Sequence, residues 1–148
     1  MALYRSGRLS EAAAELQTLL AQDPREARGH YLLGAVRLQQ GRVEEAEQAF
    51  DAALQLRSDF AEAYVGRGAA RFLRGDLAGA EADLRQALAI APDMPEAHYW
   101  LGRLLAQIGQ VEEAQRHLRA FLERPAPSPF REEAEALLQM LQGASPAR

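Results

Sequence analysis

The chain has 148 residues and a net charge of −4, and it contains no Cys, no Lys and no Asn. Ala and Leu fill 52 positions while Val, Ile and Thr fill only 7, too few β-branched residues for a sheet, so the composition points to an all-α protein. Without thiols there is no disulfide framework, thiolate zinc site or cysteine nucleophile, and the 17 scattered Arg form no basic stripe for nucleic acid.

In chain order, residues 1–6 read as the tail of a helix, followed by a helix over 10–22 that stops at Asp23-Pro24. Helix pairs follow over 27–40 and 43–56, 61–74 and 77–90, then 95–108 and 111–123, the last pair opening on Pro95 in a first helical turn. Gly41, Gly75 and Gly109 separate the members of each pair, where a residue without Cβ suits the left-handed end of a helix. Arg124-Pro125-Ala126-Pro127 is a stiff spacer. Ser128 and Pro129 then read as the N-cap and first turn of a closing helix over 129–142. Phe130, Ala134, Leu137, Leu138 and Leu141 form its apolar face, and 143–148 are a tail.

The organisation is repetitive. Gly7, Gly41, Gly75 and Gly109 stand 34 residues apart, as do Ala12, Ala46, Ala80 and Ala114, then Leu16, Phe50, Leu84 and Leu118. Gly34, Gly68 and Gly102 keep the same step and place small residues where paired helices approach. One domain over 1–142 therefore splits into a half unit 1–26, full units 27–60, 61–94 and 95–126, and the closing helix. In the half unit, Leu9, Leu16 and Leu19 lack a partner helix. The chain is either cut from a longer array or packs this end on another copy.

These columns resemble the tetratricopeptide repeat family. The first helices give His30, Leu33-Gly34 and Arg37, then Tyr64, Arg67-Gly68 and Arg71, then His98, Leu101-Gly102 and Leu105; the second helices give the Ala and Leu or Phe columns. The resemblance implies a right-handed superhelical solenoid of antiparallel helix hairpins, about 3.5 units with a capping helix. Its A-helix face would line a concave groove for a partner's peptide or helix. Arg37, Arg67 and Arg71 depart from the family pattern and are expected to pair with acidic side chains on the second helices, Asp83 being the partner for Arg71.

Spacing of 100° per residue puts Arg28, Tyr31, Ala35, Leu38 and Gln39 opposite the packing face of the first full unit. Glu62, Val65, Ala69, Phe72 and Leu73 are equivalent in the second, and Glu96, Tyr99, Arg103, Ala106 and Gln107 in the third, with Leu32, Gly66 and Trp100 at the edge. Tyr31, Phe72, Tyr99 and Trp100 are expected to project as interface anchors, over a floor that includes Val65, Gly66 and Ala69.

Nothing assembles into a catalytic constellation: the serines fall at turns, His30 and His98 are two periods apart, and His117 stands alone on a second helix. The reading is no enzyme, no cofactor, no metal, no nucleic acid and no membrane insertion. The start has no signal-peptide h-region, which gives a cytoplasmic expectation. Lys and Asn, which clamp the acidic tails of chaperones in proteins of this family, are absent, so that partner class is not expected. Self-association through the incomplete first unit, or service as the adaptor region of a larger enzyme, are the alternatives. Arg in place of Lys, with abundant Ala, suggests a GC-rich bacterial genome.

Overall fold

A computed structural model describes residues 2–124 and 128–144, with side chains described over 6–124 and 128–143. The Pro125-Ala126-Pro127 part of the spacer and the tail after Ala144 lie outside the described residues. Every described element is an α-helix: α1 Ala2–Gln22, α2 Ala27–Gln39, α3 Val43–Leu56, α4 Ala61–Arg74, α5 Leu77–Ile90, α6 Pro95–Gln107, α7 Val111–Leu122 and α8 Arg131–Ala144. The chain falls into two compact units, Met1–Asp83 and Leu84–Arg148.

The hairpin turns repeat one device. Gly41, Gly75 and Gly109 have φ of 78°, 93° and 84°, and these are the positive-φ glycines among the described residues. After each, the next amide reaches five residues back: Arg42 N to Arg37 O at 2.9 Å, Asp76 N to Arg71 O at 2.8 Å and Gln110 N to Leu105 O at 2.8 Å. This pattern satisfies carbonyls that the helix end would otherwise leave bare. Gly7, in the same column, behaves differently. It lies inside α1, which runs unbroken from Ala2 to Gln22 rather than as two pieces. Continuing the helix through Gly7 keeps backbone hydrogen bonds that a turn would give up.

In the first unit Phe50, 1% exposed, is the central side chain. A Cβ on Gly34 would come within 2.7 Å of its ring, and one on Gly66 would collide with it as well. The glycine column thus makes room for a ring as much as for a close helix backbone. Gly66 belongs to this core and not to an exposed floor. Phe60, 1% exposed just before α4, packs with Ala53, Leu54 and Ala63. Burying one such side chain contributes about 1.5–3 kcal/mol.

In the second unit Leu101, Leu104, Leu105 and Leu118 are fully buried. Leu118 sits where a Cβ on Gly102 would be 2.9 Å from its Cδ2. The closing helix α8 buries Ala134 and Leu141 as its pattern predicts. It starts two residues later than expected, at Arg131, because the Ser128 hydroxyl accepts from Phe130 N at 3.2 Å and forms a turn there.

Candidate functional site

The helix-A face of the first unit carries a mixture of exposures. Arg28, Gln39 and Glu62 are exposed, and Tyr31, Ala35, Leu38 and Phe72 are half-buried. Leu32 and Leu73 stand out because they are aliphatic yet 38% and 52% exposed. Tyr31 does not project freely: its ring centroid lies 5.1 Å from that of Phe60 and 5.9 Å from that of Phe50. Val65 and Ala69, expected on the exposed floor, are 7% and 2% exposed and belong to the core.

In the second unit Glu96 and Gln107 are exposed, while Trp100, Arg103 and Ala106 are half-buried. Tyr99 corrects the expectation of a projecting anchor, because it is fully buried. Phe130 stacks on it at 4.6 Å, and its hydroxyl donates to Glu133 Oε2 at 2.7 Å. Burial, then the hydrogen bond to Glu133, push the phenol up to about 12, against a smaller lowering by Arg103. The sequence puts Tyr99 on the correct face but does not show that α8 covers it. Trp100 is half-buried, its ring edge-on to Tyr99 at 5.3 Å and to Phe130 at 6.0 Å, with the Arg103 guanidinium 5.4 Å from its centroid.

The arginines that replace family residues form a ladder of ion pairs in the first unit. Arg67 grips Asp83 with Nε and Nη2 at 2.9 and 2.8 Å and reaches Asp51 with Nη1 at 2.7 Å. Arg71 joins Asp83 at 3.0 Å to Glu47 at 2.9 Å, and Arg74 grips the same Glu47 at 2.9 and 3.2 Å. The expected Arg71–Asp83 pair is therefore present. Burial works against the Glu47 charge, but the Arg71 and Arg74 hydrogen bonds outweigh it and hold the carboxyl below its ordinary range. These cations are engaged by internal carboxylates, so the ladder is structural and not an anion site.

The tetratricopeptide repeat family matches residues 1–59 and again residues 71–129. The chain is a tetratricopeptide repeat protein. Solved structures agree on the all-α helical-repeat fold. MamA from Desulfovibrio magneticus RS-1 is similar at a TM-score of 0.78, with 21% identity over 95% of this chain and 78% of that one. A thermophilic TPR protein from Thermus thermophilus gives 0.74, with 27% identity over 92% and 76%. The first TPR of Spaghetti, bound to an HSP90 peptide, gives 0.73, with 22% identity over 82% and 94%. No curated protein sequence matches the chain. Tetratricopeptide repeat domains serve as protein-interaction modules, and the fold places this chain among them.

His30 and His98 occupy repeat positions that the family gives to aromatics. His30 Nε2 donates to Pro24 O at 2.9 Å, and His98 Nε2 donates to Pro92 O at 2.8 Å, each bonding a carbonyl six residues back. His117 is not alone, as the sequence suggested: its Nδ1 lies 3.0 Å from Nδ1 of His98. Since His98 Nε2 must donate to a carbonyl, neutral His98 accepts at Nδ1 and His117 donates there. Burial, then the neighbouring His98, lower the His117 pKa, while Glu113 works the other way. Among the described residues no cluster of three or more His, Asp or Glu is placed to hold a metal ion. Among the same residues no helix is long and apolar enough to cross a membrane.

Proposed function

We propose that this tetratricopeptide repeat protein holds a peptide or helix of a partner protein against its helix-A faces and performs no chemistry on it. The observation that carries the reading is the exposure of Leu32 and Leu73 on the first unit's helix-A face, with Phe72 half-buried beside Leu73 in sequence. Aliphatic side chains left in water on one face, flanked by Arg28 and Glu62, suit an apolar contact with a polar rim. In the second unit Trp100 and Arg103 serve the same role, with Glu96 at the edge. The peptide-bound Spaghetti domain supports the general mode of recognition. The lack of Lys and Asn argues for a different ligand from the acidic chaperone tails of the clamp type.

The test uses a photo-crosslinking residue at Leu73, on this face, and at Ala82, an exposed position on α5. Cells of the source organism are irradiated and the adducts identified. Adducts specific to position 73 that weaken in a Leu32→Arg background support the reading. Equal labelling at both positions, or labelling at 82 alone, would sink it.

A second reading, self-association, has its own observation. Phe50 and Ala53 are 1% and 0% exposed on α3, whereas their repeat equivalents on α1, Leu16 and Leu19, are half-buried and 47% exposed. An apolar stripe buried in one helix is open in its counterpart. Light scattering that shows a monomer at tens of micromolar, unchanged by Leu19→Glu, removes this alternative.

A further inference from the structure

The ladder around Arg71 shows how this fold fills the space beside a second-helix Ala or Asp, and one period earlier that filling is missing. Moving back 34 residues, Arg71 becomes Arg37, but Asp83 becomes Ala49, Glu47 becomes Ala13, Asp51 becomes Gln17 and Arg67 becomes Leu33. Every acidic rung has been replaced and one arginine kept. Where the Asp83 and Asp51 rungs would stand there is an open cavity of about 590 Å³, lined among others by Gln17, His30, Arg37, Arg42, Gln48 and Ala49. Arg37 is only 12% exposed, and it is held from the rim by Glu45 at 3.2 Å and Gln40 at 3.0 Å. Glu45 is itself 52% exposed and also faces Arg42 at 3.5 Å.

We propose that this cavity is a carboxylate-binding site, in which a ligand's carboxylate takes, against Arg37, the place that Asp83 takes against Arg71. The internal pair is the template: Arg71 Nη1 meets Asp83 Oδ2 at 3.0 Å in a setting where the carboxylate is 5% exposed. A guanidinium retains directional donors for a second carboxylate beside one already bound, as Arg67 does with Asp83 and Asp51. Arg42, Gln17 and Gln48 supply further donors on the walls, and Ala49 leaves the space that a carboxylate needs. None of the lining residues belongs to the helix-A groove face, so the site is separate from the one proposed above and can fail or hold independently of it.

The experiment measures fluorescence anisotropy of a labelled hexaglutamate peptide, with labelled hexaglutamine as the neutral control, at low ionic strength. Hexaglutamate is expected to bind and hexaglutamine not. Arg37→Gln should weaken binding about tenfold, the usual strength of a charged hydrogen bond. Ala49→Asp rebuilds the internal rung and should block the site by a similar factor while leaving the circular dichroism melt no lower. Glu45→Gln removes the competing carboxylate and should tighten binding, a result that a structural defect would not give. Competition by succinate assigns the site to a free dicarboxylic acid, and its failure assigns the site to an acidic peptide segment. Equal binding of both peptides, or hexaglutamate binding indifferent to Arg37→Gln and Glu45→Gln, overturns the proposal.

Discussion

Tyr31 and Tyr99 occupy the same repeat position, two periods apart, and meet different fates. Tyr31, in the first unit, is half-buried against Phe50 and Phe60. Tyr99, in the second, is sealed beneath α8, with Phe130 on its ring and Glu133 on its hydroxyl. The period dictates which face of the helix a side chain occupies. The element that arrives next dictates whether that face meets water. The arginine columns give the same lesson: Arg71 lies in a closed ladder and Arg37 beside an open cavity, because the partner positions changed from Asp83 and Asp51 to Ala49 and Gln17.

The largest expected effect breaks the tyrosine comparison directly. Tyr99→Ala should cost about 3–5 kcal/mol, the range for deleting a buried ring. Tyr31→Ala should cost about 1–2 kcal/mol, since part of that ring already meets water. Urea unfolding of both variants checks this, and equal losses would show that α8 adds nothing at Tyr99. Asp83→Ala should cost about 1.5–3 kcal/mol, because Arg67 and Arg71 lose their shared buried carboxylate while keeping Asp51 and Glu47. Glu45→Ala, which removes a solvent-exposed rim partner of Arg37, should cost no more than about 1 kcal/mol.

Two glycines sharpen the contrast between a filled and an open register. Gly66→Ala forces the Phe50 ring aside and should destabilise by about 1–3 kcal/mol. Gly7→Ala meets nothing within 4 Å inside a helix and should stabilise by about 0.5–1 kcal/mol. A loss of stability at Gly7 would place a left-handed turn there and contradict the unbroken α1.

The smallest effect is on pH dependence. The His117 pKa is lowered in the folded chain, so the unfolded chain binds its proton first as pH falls. That contribution to stability is complete above the unfolded value near 6.5 and is lost as pH drops from there toward the folded value. His117→Gln should flatten this part of a stability–pH curve. Glu47 acts in the same direction at lower pH: its stabilisation is lost as pH falls below 4.5 toward its lowered folded value.

Much of the fold is legible in the sequence. The α3, α4 and α5 bounds follow from the 34-residue step and its glycines, because Schellman turns and buried small residues leave signals at fixed positions. The paired arginines are legible too, since a charge inside a packing column must find a counter-charge. The site is less so. Val65 and Ala69 lie on the expected face but are buried, Gly66 is occupied by the Phe50 ring, and Phe60 and Phe121 carry core burial that no column announces. The His98–His117 contact spans two helices of one hairpin, and neither local sequence contains it.

The sequence by itself determined the helical class, the repeat step, the turn glycines and the absence of thiol chemistry, because these depend on local backbone preference and composition. Only the tertiary structure decided which members of each column are covered. Burial is a property of neighbours. It covered Tyr99 and left Leu73 in water, and it closed the space beside Arg71 while leaving it open beside Arg37.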